Sequence, residues 1–316
     1  MRKRTILNNI ELNTFKFDTY KLIPSVTAIQ VFKGSDILGN LSIAFIFQKE
    51  PKLEINTKKI SSRIIKAENE FRFFISLNQS DSNSIEIFNL FTNDLTSSIK
   101  EADTEKEVQR LLSNRIRYWS DFFKREKNKL KETTILGLIG ELWFLNTVLI
   151  EKIGVEDSVK SWIGPKGANQ DFITKEKIFE IKTHNIQSQT IKISNENQLN
   201  ENTNLTVIGV EKSSSINQHA YTLSKLVNTI NFKISDPETL LIFQRKLLDM
   251  DLFPLENLGV YDDSAYSIKK IQYFRISENF PILHQSKIPK AIVKYNYDLL
   301  LSGISDFVIS EEELWN

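Results

Sequence analysis

The sequence predicts an α/β (α+β) fold, with a central mixed β-sheet flanked by helices, and three patterns carry that prediction. Runs rich in β-branched and aromatic residues, bounded by turn residues, occur near both ends of the chain. Apolar residues take up helical spacing from Ser84 onward. Beyond residue 150, short strand candidates alternate with further helices, so the two element types mix throughout.

Taken in order, residues 26–32 (VTAIQVF), Leu41–Phe47 (LSIAFIF) and Phe71–Leu77 (FRFFISL) read as strands of a β-rich N-terminal region. Residues 105–131 read as one or two amphipathic helices carrying Leu111, Leu112, Ile116, Trp119 and Phe122. Residues 133–150 (TTILGLIGELWFLNTVLI) come near the lower length limit of a membrane span. Their single charge, Glu141, sits mid-segment where lipid would penalise it, and the flanks are highly charged, so the segment reads as a buried core helix. Strand candidates follow at 159–163, 171–174, 178–183, 190–193 and 205–210, helices at 223–232 and 238–250, and strands again at 266–276 and 292–297. The expected division is a β-rich region over 1–104, a core over 105–235, and an α+β region over 236–316 packed on that core.

Composition excludes several classes. The 316 residues carry a formal net charge of +1, with 41% hydrophobic and 26% charged residues, which is neither a polybasic coat nor an acidic disordered tail. Cysteine is absent, which removes disulfide scaffolds, zinc-thiolate sites and cysteine nucleophiles. The basic start MRKRTILNNIELNTFK has no apolar core and no small-residue cleavage site, so the expectation is a cytoplasmic protein without a signal peptide and without a membrane partner. Charge is nonetheless uneven: residues 110–131 hold eight basic side chains against two acidic ones, either a solvated helix face or a contact for polyanions.

Five of the ten glycines (Gly137, Gly140, Gly154, Gly164, Gly167) fall in one 31-residue stretch, marking it as the place where backbone geometry is most demanding. It leads into residues 162–182, WIGPKGANQDFITKEKIFEIK. Asp171 opens one strand candidate, a polar turn follows, and Glu180 and Lys182 share one face of the next strand while Phe179, Ile181 and Thr183 point the other way. In-register pairing would bring Asp171 beside Glu180 or Lys182. Two carboxylates and an ammonium in one pocket suit phosphodiester hydrolysis. Carboxylate oxygens hold Mg²⁺, which withdraws charge from the phosphate, and the lysine orients the attacking water.

The spacing Asp171, then Glu180-x-Lys182, resembles the PD-(D/E)XK nuclease superfamily, although Asn169-Gln170 stand where the literal proline would precede the aspartate. The helix segment Gly137-x-x-Gly140-Glu141-Leu142 is similar to the acidic helix that precedes the hairpin there, and Ser194-x-x-x-Gln198 to a glutamine found beyond the lysine strand. With the tail phrase Phe280-Pro281-Ile282-Leu283, the ordered set resembles, over nearly the whole chain, a family grouped under the same PD-(D/E)XK heading and encoded in bacterial restriction-modification or defence clusters. The resemblance implies a restriction-endonuclease-like core and a Mg²⁺-dependent deoxyribonuclease, with Mn²⁺ as a substitute. Asp171, Glu180, the Ile181 carbonyl and Glu141 would hold the metal, with Lys182 and Gln198 completing the catalytic set. It implies double-stranded DNA as partner, a homodimer, and methyltransferase and ATPase subunits of the same cluster. The rival reading is a DNA-binding or scaffolding subunit that keeps the fold with little activity alone.

Other residues carry two readings each. Arg115, Arg117, Lys124, Arg125, Lys127 and His184 form the candidate DNA-binding set, with a solvent-facing role as the plainer reading of His184. Gln198 fits either the catalytic set or a helix start capped by Ser194. Trp162 reads as core, and Gly164 and Gly167 as shaping the turn before Asp171.

Overall fold

The computed structural model describes residues 20–316 except 37, 79–80, 125–128, 165–168, 196, 284–287, 290 and 293, and of Lys124 and Glu256 the backbone alone. Arg125, Lys127 and Gly167 therefore lie outside the described residues, as does the side chain of Lys124. The chain forms two compact units, Met1–Lys127 and Asn128–Asn316.

The first unit holds strands β1 (Lys21–Leu22), β2 (Gln30–Ser35), β3 (Leu41–Phe47), β4 (Ile60–Lys66) and β5 (Phe71–Leu77), then helices α1 (Ser82–Ser98) and α2 (Glu105–Lys124). Its sheet is antiparallel in the order β1-β2-β3-β5-β4. The strands β3 and β5 match the sequence expectation residue for residue; β2 begins four residues later than the apolar run 26–32, whose Val26 and Ile29 are buried ahead of the strand. Asp81 caps α1 by accepting from the Ser84 amide at 2.9 Å. Helix α2 packs on α1 through Trp119, whose ring meets Phe91 edge-on at 5.2 Å and whose indole N–H donates to buried Asp94 at 2.7 Å. This packing places α2 with the N-terminal sheet, so the division falls at 127/128 and not at the expected 104/105.

The second unit continues with α3 (Glu132–Phe144), a π-helical turn (Leu145–Leu149) and α4 (Ile150–Ser161), kinked at Gly154 where φ is +80°. Strands β6 (Phe172–Ile173), β7 (Ile178–Asn185), β8 (Thr190–Ile193) and β9 (Thr203–Ser213) follow, then α5 (Leu223–Lys233), α6 (Pro237–Asp249), β10 (Ala265–Arg275), β11 (Tyr297–Leu300), β12 (Val308–Ile309) and α7 (Glu311–Trp315). The main sheet is mixed, in the order β12-β10-β9-β7-β6, with β7 and β9 parallel and the other pairs antiparallel. The α+β class with a central mixed sheet is thus observed. Because β10 and β12 belong to that sheet, the C-terminal region is part of the same layer as the core, without a boundary at 235/236.

The helical stretch Glu132–Ser161 has the length and composition of a membrane span, and more than half of its most apolar window is buried inside the molecule. Ile139, Leu142, Phe144, Leu145 and Leu149 are fully enclosed, so the stretch is a core helix as expected. Two strand expectations are corrected. Residues 159–161 end α4, because the register of a long helix overrides the β-propensity of Val159, and Trp162 makes only an isolated bridge to Phe172. The last alternating run becomes a strand at Tyr297–Leu300, where pairing with β8 sets its position, and not at 292–297.

Candidate active site

The site is built around the β6–β7 hairpin and the helix behind it. Phe172 and Phe179 pair across the hairpin and both pack on Phe144 of α3, with ring centroids 5.6 and 5.3 Å away. This burial fixes which way the strands face: β7 turns Phe179 and Ile181 into the core and leaves Glu180 and Lys182 on the opposite side, as the alternation predicted. The register sets Asp171 opposite Glu180, with the Asp171 amide donating to the Phe179 carbonyl at 3.2 Å.

Helix α3 reaches this hairpin at Gly140. A Cβ there would overlap the Thr183 hydroxyl and come within 3.0 Å of the Thr183 Cβ, so only glycine allows the helix to lie this close to β7. The next residue, Glu141, then meets the site: its Oε2 accepts from the Trp162 indole N–H at 2.8 Å. Trp162 is fully buried, the core role expected of it, and it carries a bond to the site that the sequence did not reveal. Gly164 lies between the acidic groups. A Cβ on it would sit 2.8 Å from Glu141 Oε2 and 3.1 Å from Asp171 Oδ1, so both carboxylates close on the same backbone atom.

Asp171 Oδ2 accepts from the Ile181 amide at 2.8 Å. Glu180, 1% exposed, pairs through Oε1 with Lys182 Nζ at 2.6 Å, while its Oε2 is buried with no hydrogen-bond partner. Lys182 Nζ also donates to Gln198 Oε1 at 3.0 Å, and that oxygen accepts from the Ser194 amide at 2.7 Å. Gln198 therefore joins the lysine while bonding the Ser194 backbone. The five residues Asp171, Glu180, Lys182, Glu141 and Gln198 form one connected cluster.

Electrostatics shows strain in the acidic members. Burial pushes the Asp171 carboxyl from 3.8 up to about 6, against the opposing pull of the Ile181 amide and Lys182. Burial, aided by the charge of Asp171, pushes Glu180 from 4.5 up to about 8, although Lys182 pulls the other way. Glu141 lies well above the ordinary carboxyl range for the same first reason, desolvation, with Asp171 adding repulsion. Ionised carboxyls gathered in a poorly solvated place call for a cation.

Among the described residues no three Asp, Glu or His side chains make a metal cage by themselves. The donors present still fit a hard divalent cation, which is usually held by one or two carboxylates and completed by carbonyl, water and phosphate oxygens. The observations that fit are the orphaned Glu180 Oε2 and the space beside Gly164 that a Cβ would fill.

Of the candidate DNA-binding residues, Arg115 and Arg117 lie on α2 of the first unit and His184 on β7 of the second. Arg115 bonds Asp94 through Nε at 2.8 Å and through Nη2, and its guanidinium lies 4.6 Å from the Tyr118 ring centroid; Arg117 is exposed on α2. His184 is half-buried, which corrects the solvent-facing expectation: its Nε2 lies 3.4 Å from where a Cβ on Gly209 would stand, and burial lowers its imidazole pKa. The small strand residue opposite it on β9 makes the room.

Sequence reasoning missed Lys246. It is 4% exposed, and its Nζ donates to the carbonyls of Val159 at 2.6 Å and Lys160 at 3.2 Å and to that of Trp162. Its signal was a lysine three residues after Phe243 and beside Leu247, on the apolar stripe of α6.

No curated protein and no solved structure matches the chain. Its sequence over residues 14–302 matches the family described as "Putative PD-(D/E)XK family member" (DUF4420), and the chain belongs to this family.

Proposed function

We propose that the protein is a Mg²⁺-dependent endonuclease acting on double-stranded DNA in a bacterial restriction-modification or anti-phage defence system. Membership of a family described as a PD-(D/E)XK member supports nuclease as the class of activity. The single observation that supports the finer reading is the cluster itself: an unsatisfied buried Glu180 oxygen beside Asp171, Glu141 and a lysine held by glutamine.

Asp171 and Glu180, with the Ile181 carbonyl and Glu141, would hold the cation, which when bound withdraws charge from the scissile phosphate and acidifies water. Lys182 has three N–H donors, of which Glu180 and Gln198 take two, leaving the third for the attacking water. Gln198 keeps that ammonium aimed. Water oxygen attacks phosphorus, the bond to the 3′ oxygen breaks, and a 5′ phosphate and a 3′ hydroxyl result. In this reading the basic run over 110–131, including the exposed Arg117, supplies charge for the DNA backbone, with a salt-dependent affinity.

The test incubates purified protein with methylated and unmethylated plasmid and Mg²⁺ or Mn²⁺, beside Asp171→Ala and Lys182→Ala. Cleavage lost in both variants supports the reading. Cleavage that persists in both rejects the site, and gel-shift binding without cleavage favours the scaffolding subunit.

A further inference from the structure

Lysine is seldom buried unless its ammonium is fully hydrogen-bonded. Lys246 meets that condition at the C-terminal end of α4, where its Nζ contacts the carbonyls of Val159, Lys160 and Trp162. The last carbonyls of a helix have no intrahelical partner, and the partial negative charge there favours a cation. Lys246 is therefore a cap supplied by another helix, about 85 residues further along the chain.

What it caps is a strap over the acidic cluster. Trp162, the last residue bonded, donates its indole N–H to Glu141, and Phe243 of the same α6 packs on that indole with centroids 6.1 Å apart. The next two amides, Ile163 and Gly164, donate to the Asp171 carbonyl at 2.8 and 3.1 Å. Gly164 then lies against both the Glu141 and Asp171 carboxylates. Three consecutive residues thus contact Glu141 or Asp171 through backbone or side chain, and the first of the three is held by Lys246.

We infer that Lys246 is a positioning residue: by anchoring the Trp162 carbonyl it locks the 162–164 strap, and with it the separation of the Glu141 and Asp171 carboxylates at which a divalent cation binds. The cation clause rests on the proposed function; the strap itself does not. A cap that served stability alone would leave the strap no more sensitive than the rest of the unit.

Metal-free hydrogen exchange on the full chain reads the strap directly. The amides of Ile163, Gly164 and Ile181 each bond Asp171, and Val207 and Gln272 in the β9–β10 ladder serve as internal reference. Lys246→Met keeps the unbranched stem without the ammonium; Lys246→Arg keeps the charge, but a planar fork does not converge on three carbonyls. The three reporters exchange at least about tenfold faster in Lys246→Met with the ladder unchanged, and by less in Lys246→Arg, which carries the test if the methionine variant does not fold. Leu299→Ala, in the buried cluster between β8 and β11, controls for general destabilisation. Reporters that do not move, or that move only in step with the ladder, overturn the inference.

Mn²⁺ calorimetry tests the second clause: Lys246→Met weakens affinity about tenfold or more, as loss of an outer-shell partner does. Unchanged affinity beside faster exchange overturns the link to the cation. Equal Mn²⁺ binding by wild type and Asp171→Asn overturns the proposed function and the cation clause together, and the exchange data alone then decide whether Lys246 sets the strap.

Discussion

Glu180→Gln removes a charge from the place where the fold tolerates it least. The unfolded carboxyl ionises near 4.5 and the folded one only at about 8, because burial and the neighbouring Asp171 disfavour the anion. A carboxyl with a raised folded pKa gives the fold its full contribution below the unfolded value and loses it as pH climbs through the folded value. The window is therefore about pH 4.5 to 8. Each unit inside it costs about 1.4 kcal/mol, so at pH 7.5 the ionisation penalty is on the order of 4 kcal/mol. Glutamine abolishes the penalty and still offers an oxygen to Lys182, with a weaker contact than the one at 2.6 Å. The net expectation is a variant more stable than wild type by about 2 kcal/mol at pH 7.5 and less stable by about 2 kcal/mol near pH 4.5, where the titration penalty has vanished and only the weakened lysine contact remains. In a unit of this length that is roughly 4–8 °C in melting temperature. Differential scanning calorimetry at the two pH values, without divalent cation, reads it directly. A melting difference that is the same at both pH values, or a glutamine variant less stable at pH 7.5, refutes the account of Glu180 as a carboxyl whose ionisation the fold resists.

Two glycine substitutions separate architecture from site. Gly140→Ala drives a methyl into Thr183 and destabilises by about 2 kcal/mol or more in urea unfolding, and Thr183→Ala, which removes a buried hydroxyl without a partner, is near neutral alone and restores part of the loss in combination. Gly164→Ala places its methyl against the Glu141 and Asp171 carboxylates, so it leaves far-ultraviolet circular dichroism unchanged while abolishing Mn²⁺ binding by calorimetry; a variant that binds as wild type contradicts the shared cradle.

The contrast between these residues shows what a sequence displays and what it hides. The hairpin was legible because its determinants are local: alternation of Phe179, Glu180, Ile181 and Lys182 fixes the faces and a polar turn joins the strands, while the register that sets Asp171 opposite Glu180 and not Lys182 came from the structure. The glycine stretch likewise marked where helix and strand approach, although which neighbour required each glycine was not readable. The 159–161 segment was misread because it continues the register of α4, which overrides the strand propensity of Val159, and because the lysine that bonds its carbonyls lies over 80 positions away on α6. The division at 127/128 was hidden for the same reason: α2 is placed by Phe91 and Asp94 on α1, contacts that no periodicity announces.

The charge balance of the cluster links these observations to chemistry. Among the described residues, Glu141, Asp171 and Glu180 face one cation, Lys182, which already binds Glu180 and Gln198. With all three acids ionised the group would carry two uncompensated negative charges at low solvation, which is why desolvation raises all three and why Asp171 repels the other two. A buried charge persists only when paired, and a divalent cation supplies the missing two charges in one ion. The same arithmetic explains why neutral donors hold the acids: the Ile181, Ile163 and Gly164 amides fix Asp171 without adding charge, and the Trp162 indole fixes Glu141 in the same neutral way. Positive charge placed closer would neutralise the acids and remove the reason for a metal to bind; Lys246, held on the carbonyls of the α4 end and of Trp162 at the head of the strap, instead sets their geometry.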